Sequence, residues 1–447
     1  MTIKEGFRAE ISPMVRLALP LVFAEIGWMA MGVEDTMFVG RVSAQAIGAV
    51  GLGTMLFYAI GIFAGGLLLG LDTLVSQSFG AGDRDDCRHS LISGVWLSLL
   101  LTPVVMGLIR GLMPLLAKLN IDPAVMAVTL PYMRVLNWGV PSLLLFFGFR
   151  RYLQSINIVR PVMITLLTAN VVNIVCNWAF VFGNLGAPRL GAEGSAWATF
   201  VSRAYMAAVL GAVIWRNDPG LPHVTWKPDF QRVKALLRLG MPAAGQIGLE
   251  TGVFAVVTVL IGKLGADALA GNQIALMTVS TTFMMPLGIS SAAAVRVGHA
   301  IGRGDSEGMA RAGWTALGLG GAVMSCAAVA LLIFPYWIAR LFTPEAQVIA
   351  AGMVLLRVAA FFQLFDGLQV VATGALRGAG DTRTPMICHF TGYWVIGLPL
   401  GALLCFRFGM GAPGLWIGLS AGLIAIGVVL VEVWRRKESG VGRQESE

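Results

Sequence analysis

Charged side chains are what this chain has fewest of. Asp, Glu, Lys and Arg make up 13% of its 447 residues, against roughly 25% in ordinary soluble domains, while 57% are hydrophobic and the mean hydropathy is +0.77. A soluble domain is excluded. Material for metal or redox chemistry is also thin. The four histidines (89, 223, 299, 389) form no His-Glu-x-x-His or similar ligand pattern. The five cysteines (87, 176, 326, 388, 405) include no Cys-x-x-Cys pair and read as core filler. No nucleophile or metal constellation of an intramembrane enzyme is visible. The start of the chain, MTIKEGFRAEISPMVR, lacks a long apolar run with a small-residue cleavage site, so the first apolar stretch reads as a retained span.

What the chain does have is apolar length. Twelve segments are long enough to cross a bilayer as helices: about 14–38, 47–75, 91–116, 126–149, 161–183, 192–215, 240–262, 268–295, 312–334, 347–375, 386–406 and 411–434. The expected fold is therefore an all-α polytopic membrane protein with 12 transmembrane helices. Its net charge of +8 is topological and not a nucleic-acid footprint. With the amino terminus in the cytoplasm, 22 of the 32 Lys and Arg residues fall on inner loops and tails, 7 on outer loops and 3 (Arg134, Arg203, Arg357) in or beside spans. That bias puts both termini inside.

A repeat runs through the chain. An offset of 222 lays Pro20 on Pro242, Gly40 on Gly262, Arg41 on Lys263, Gly80 on Gly302 and Asp83 on Asp305. The offset then drifts to 223 (Arg134 on Arg357) and 224 (Pro161 on Pro385), and becomes 220 where GAEG at 191–194 meets GAPG at 411–414. Six spans per half keep the copies in one orientation, so two pseudo-symmetric six-helix lobes related as parallel repeats are expected. The resulting boundaries are residues 1–216 for the first lobe, 217–239 for a cytoplasmic linker, 240–435 for the second lobe and 436–447 for a polar tail. The linker ends in a basic amphipathic segment (Phe230, Val233, Leu236, Leu237 and Leu239 among Arg232, Lys234 and Arg238) that reads as lying on the inner membrane surface. Gly61/Gly65 and Gly66/Gly70 are small-xxx-small pairs suited to close helix packing. Prolines 20, 141, 242, 286 and 399 fall inside spans and predict kinks; Pro20 and Pro242, being repeat equivalents, are the hinge candidates.

Ionisable groups at membrane depth are expensive and mark pathways or coupling sites. Asp35, Glu250 and Asp366 stand out. None is repeated: Asp35 falls on Val257, Glu250 on Trp28 and Asp366 on Leu143. That asymmetry favours a cation- or proton-binding role over an architectural one. Asn170, Asn173 and Asn177, at i, i+3 and i+7, line one face of the fifth span and are cavity candidates alongside interhelical bonding. Asp72, beside Thr73, Ser76 and Gln77, reads as part of a local polar cap. Arg203, deep in the sixth span, calls for a carboxylate partner in its own lobe, with Glu25, Asp35 and Asp72 available.

The stretches VEDTMFVGRVSAQAIGAVGLG, LDTLVSQSFGAG, RRYLQSINIVRP, NVVNIVCNWAFVFG, MPLGISSAAAVRVGHAIGRGD and GALRGAGDTRTPM, in this order on twelve spans, resemble the multidrug and toxic compound extrusion (MATE) transporters, nearest their NorM-like branch. The resemblance implies a V-shaped pair of bundles around a central cavity in a bacterial inner membrane. It implies a monomeric exporter, with no cofactor, that exchanges organic, mostly cationic drugs for inward Na⁺ or H⁺. It also assigns Asp35 to the acid of the amino-terminal lobe, and Glu250 and Asp366 to an acidic pair holding a monovalent cation such as Na⁺. Glu25 and Arg203 depart from the pattern. Within the wider superfamily a lipid-linked oligosaccharide flippase is the alternative, but its cavity should be strongly basic, and Arg203 is the one deep arginine. A passive channel would need neither asymmetric acids nor two moving lobes.

Overall fold

Lipid offers a backbone amide no water to bond, so apolar stretches of this length satisfy their polar groups as helices. The computed structural model describes residues 3–116, 122–221 and 224–444, and the regular structure there is helical throughout. Lys118 and His223 lie outside the described residues. In chain order the helices are α1 (Ile3–Gly40), α2 (Ala44–Leu67), α3 (Gly70–Gly80), α4 (Arg84–Leu116), α5 (Pro123–Trp138), α6 (Val140–Ser155), α7 (Arg160–Phe182) and α8 (Ala192–Asn217). They continue as α9 (Phe230–Gly262), α10 (Ala266–Gly302), α11 (Ser306–Ile333), α12 (Pro335–Arg340), α13 (Ala346–Gly378), α14 (Arg383–His389), α15 (Leu398–Ala402) and α16 (Ala412–Gln444).

Eleven helical stretches among the described residues are long and apolar enough to span, and the twelfth expected span shows why it is not among them. The stretch 126–149 is divided into α5 and α6, of 16 residues each, at Gly139. Pro141, in the first turn of α6, lacks the amide that would continue the α5 ladder. The second span is likewise divided, at Leu68–Leu69 between α2 and α3. The eleventh alternates α14 and α15 with π-helical turns at Phe390–Gly397 and Leu403–Arg407, a geometry that often marks functional sites.

Two compact units emerge, one of residues Phe23–Ala244 (the amino unit) and one joining the residues up to Val22 to those from Gly245 onward (the carboxy unit). Both boundaries fall inside helices, α1 and α9, 222 residues apart. The contacts that hold the exchanged segments are reciprocal. In the amino unit a Cβ on Gly66 would come within 2.7 Å of the Ala244 backbone; in the carboxy unit a Cβ on Gly288 would come within 2.6 Å of the Val22 backbone. Gly66 and Gly288 are repeat equivalents, and so are Ala244 and Val22. Of the expected small-residue pairs, Gly66 and Gly70 approach α9 backbone, Gly65 packs on Phe147, and Gly61 makes ordinary contacts.

The amphipathic segment that ends the linker is continuous with the seventh span. It is the first part of α9, and its apolar stripe of Val233, Leu236 and Gly240 is buried inside the amino unit. The cysteines are unpaired; Cys87 and Cys405 are buried as expected of core filler, whereas Cys326 is exposed.

Candidate functional site

The amino unit builds a carboxylate site from three helices. Asp35, in the last third of α1, is buried. Its Oδ1 accepts from Asn177 Nδ2 (2.7 Å) and Asn173 Nδ2 (3.2 Å), and its Oδ2 accepts from Thr199 Oγ1 on α8 (2.8 Å). The helical spacing of the asparagines accounts for two of these bonds, because i and i+4 residues share a face. Asn170, on the same stripe, turns to another task and donates to the Gly27 carbonyl of α1 at 3.0 Å. Thr199 had no signal in the sequence beyond lying one turn before Arg203.

Arg203 takes none of the carboxylates anticipated for it as a direct partner. Glu25 is bonded by Arg150, with both side chains buried, and Asp72 accepts from Arg151 at 3.4 Å. Asp72 thus belongs to an interhelical ion pair as well as to its local turn. Arg150, counted in the sequence as an inner-loop residue, lies within α6 at 2% exposure. The Arg203 guanidinium rests on the faces of Phe57 (4.6 Å) and Tyr58 (5.9 Å), an arrangement that supplies cation–π attraction in place of a salt bridge. It also lies against Gly139, where a Cβ would sit 3.6 Å from Nη1.

The carboxy unit assembles a second acidic site. Asp366 on α13 is buried, and its Oδ1 accepts from Gln369 Nε2 one turn on at 3.2 Å. Glu250 on α9 lies close enough to feel the Asp366 charge and neighbours the same Gln369 side chain. His389, at the end of α14, has Nδ1 at 2.7 Å from the Pro385 carbonyl. A carbonyl can only accept, so Nδ1 carries the proton, and in the neutral ring Nε2 is the acceptor. That nitrogen lies 3.3 Å from Gln246 Nε2 and 3.9 Å from Glu250 Oε2. Tyr393, on the π-helical turn, is buried within electrostatic range of both carboxylates, and its hydroxyl has no hydrogen-bond partner among the described residues. Gln369 Oε1 is similarly unpartnered. Gln369 was legible in principle as the i+3 neighbour of Asp366; His389, Gln246 and Tyr393 come from other helices and were not. Among the described residues no group of three or more His, Cys, Asp or Glu gathers as a metal site. Two carboxylates with amide and phenol oxygens suit a hard cation better than a transition metal.

Duplicated bundles of membrane-length helices, with a buried carboxylate in each and Arg150 and Arg151 paired to acids within the amino unit, define a polytopic protein built for moving solutes. The chain belongs to the MatE family, whose model matches it twice, at residues 20–179 and 242–403. The starts of those matches are 222 residues apart and the ends 224, the drift seen in the sequence repeat. The chain is 36% identical to a probable multidrug resistance protein NorM of Mesorhizobium japonicum, over 97% of this chain and 95% of that one. It is 35% identical to the multidrug resistance protein MdtK of Yersinia pseudotuberculosis, over 96% and 95%. The eukaryotic MATE transporter AtDTX14 shares its fold with a TM-score of 0.87 at 21% identity, covering 98% of this chain and 99% of that one. A MOP superfamily transporter from Pyrococcus furiosus does so with 0.89 at 19%, covering 97% of both.

Proposed function

We propose that this chain is a secondary active multidrug exporter that moves organic, mostly cationic compounds out of a bacterial cytoplasm in exchange for inward Na⁺ or H⁺. Family membership over nearly the whole chain, beside relatives named for multidrug resistance, supports the substrate class. The single observation that carries the coupling is the burial of Asp35 and Asp366, with the partly buried Glu250 beside the latter, on membrane-length helices with neutral hydrogen-bonding neighbours. Such carboxylates persist in a membrane protein when they bind and release a cation. Asp35 acts as the coupling acid of the amino unit. Glu250 and Asp366, with Gln369 oxygen at hand, take the monovalent cation, and Pro20 and Pro242 allow their helices to bend. An ion drives alternation between inward-open and outward-open states only through a difference in its affinity for the two. The membrane potential adds about 2.3 kcal/mol per charge per 100 mV where charge crosses the field.

Drug accumulation in everted vesicles, driven separately by a Na⁺ gradient and a pH gradient, tests this reading. Uphill accumulation under at least one gradient, lost when both are collapsed, is expected. Drug flux that only runs downhill whatever the gradient would point to a channel instead.

A further inference from the structure

The carboxy unit holds a chain of hydrogen bonds whose direction is fixed at one end. His389 is fully buried, and its Nδ1 lies 2.7 Å from the carbonyl of Pro385, one turn earlier on α14. That oxygen can only accept, so Nδ1 donates and Nε2 of the neutral ring keeps its lone pair. Gln246 Nε2, on α9, lies 3.3 Å from this ring nitrogen. An acceptor at that place selects the nitrogen end of the Gln246 amide. Oε1 is left on the far side of the amide and meets no donor among the described residues. Gln246 is one turn before Glu250, on the same face of α9, and Glu250 Oε2 is 3.9 Å from the same ring nitrogen. Just beyond, Trp394 Nε1 donates to the Leu249 carbonyl at 3.0 Å and fastens α9 to the eleventh span.

The repeat singles out the same residues. At the offset of 222 that aligns α9 with α1, Gln246 and Glu250 fall on Ala24 and Trp28. At 223, Asp366 and Gln369 fall on Leu143 and Phe146, and at the 224 set by Pro385 on Pro161, His389 falls on Thr165. The proline is kept in both halves, whereas the imidazole, both amides and both acids occur in one half only. Equivalent helices therefore pack in the amino unit without Gln246 and His389, which separates these two from the shared scaffold and groups them with the acids.

We infer that Gln246 is a further ligand of the carboxy-unit cation site and that His389 is its positioning residue, holding the amide by its nitrogen so that Oε1 is offered to a hard monovalent cation beside Glu250; this rests on the reading that Glu250 and Asp366 take that cation. Hard cations are held by carboxylate and amide oxygens. A neutral amide supplies such an oxygen without burying a third negative charge. A group behind a ligand that fixes its orientation contributes much of the affinity the ligand provides. With the acceptor at residue 389 removed, the amide would be free to turn over or swing away from Glu250.

The test is equilibrium binding of radiolabelled Na⁺ to full-length protein in detergent micelles, with choline chloride holding the ionic strength, in an Asp35→Asn background that leaves the carboxy unit as the site measured. Glu250→Gln should abolish binding. Gln246→Leu and His389→Phe should each weaken it about tenfold, and the two together should weaken it no further than Gln246→Leu alone, because the ring acts through the amide. His389→Gln, whose side-chain oxygen can accept from Gln246 in place of the ring, should restore most of the affinity. A merely structural defect would lower the number of sites per protein; here the number should stay and the affinity should fall. Unchanged Na⁺ affinity in Gln246→Leu would overturn the inference, and this arm decides the matter even if His389→Phe does not fold. Additive losses in the double variant would overturn the positioning role of His389. Na⁺ binding that survives Glu250→Gln, or none in the Asp35→Asn parent, would instead overturn the assignment of the cation to the acidic pair.

Discussion

Asp35 receives three hydrogen bonds from uncharged donors, so replacing its carboxylate by an amide changes its charge with little change of shape. Asp35→Asn, a fixed mimic of the neutral form, should keep drug binding within about 1 kcal/mol, since pocket contacts are mostly apolar. It should nonetheless fail to concentrate drug in everted vesicles; uphill transport at the parent rate would make Asp35 structural. Glu250→Gln and Asp366→Asn should each abolish cation-coupled efflux at normal membrane expression, and full drug resistance in both would remove them from the coupling. The Glu25–Arg150 pair makes a prediction about stability. Glu25→Gln leaves a buried guanidinium uncompensated and should cost about 3–5 kcal/mol, whereas Glu25→Leu with Arg150→Met should recover most of it. Thermal unfolding in detergent would show the difference. The burial of Asp35 and Asp366 was legible because a carboxylate in an apolar run is conspicuous. Their partners were not, because helical periodicity tells which face a residue occupies and not which helix that face meets. Arg150 illustrates this: its neighbour Arg151 and the nearby loop made it look like a topology signal.

Among the elements, the contact of the eleventh and twelfth spans depends most on having no side chains. A Cβ on Gly401 would come within 2.9 Å of the Leu415 carbonyl, one on Gly414 within 2.8 Å of the Cys405 amide, and one on Gly418 would strike the Gly401 backbone. Alanine in a helix normally gains about 1 kcal/mol over glycine, and at Gly107, with nothing within 4 Å, that gain should appear. At Gly418 the clash must win, with a loss of about 1–3 kcal/mol, read as a lower unfolding temperature for Gly418→Ala than for Gly107→Ala. At the end of α8, the Arg88 guanidinium grips both oxygens of Asp218 at 2.7–3.0 Å and holds that carboxyl below the usual range. A carboxyl depressed in the folded state stabilises it above its ordinary pKa, and the contribution fades as pH falls through the folded value. Protease sensitivity of the linker should therefore rise in mild to strong acid, and Asp218→Asn should show that sensitivity at neutral pH already. The element boundaries departed from the sequence reading where glycine and proline cluster. Gly65, Gly66 and Gly70 around 68–69, and Gly139 with Pro141, split spans that hydropathy alone draws as continuous.

At the scale of the whole chain, the duplication was readable because glycines, prolines and turn residues recur at a nearly constant spacing, and the double match of the MatE model follows the same spacing. What spacing does not reveal is which unit a helix packs in. The chain order puts α1 wholly in the first half and α9 wholly in the second, yet the contacts assign the residues up to Val22 and the stretch Phe230–Ala244 to the opposite units. Gly66 and Gly288 receive those stretches in matching ways, and Glu10 of the exchanged amino-terminal stretch is paired with Arg296 on α10 at 2.5 Å. Each half of the sequence therefore contributes one stretch to the compact unit formed mainly by the other. Cut between Asn217 and Phe230, each fragment made alone would lack a segment its core is shaped to receive and should be cleared by quality-control proteases. Made together in one cell, the two fragments should rescue each other by trading those segments, as a split reporter regains its signal.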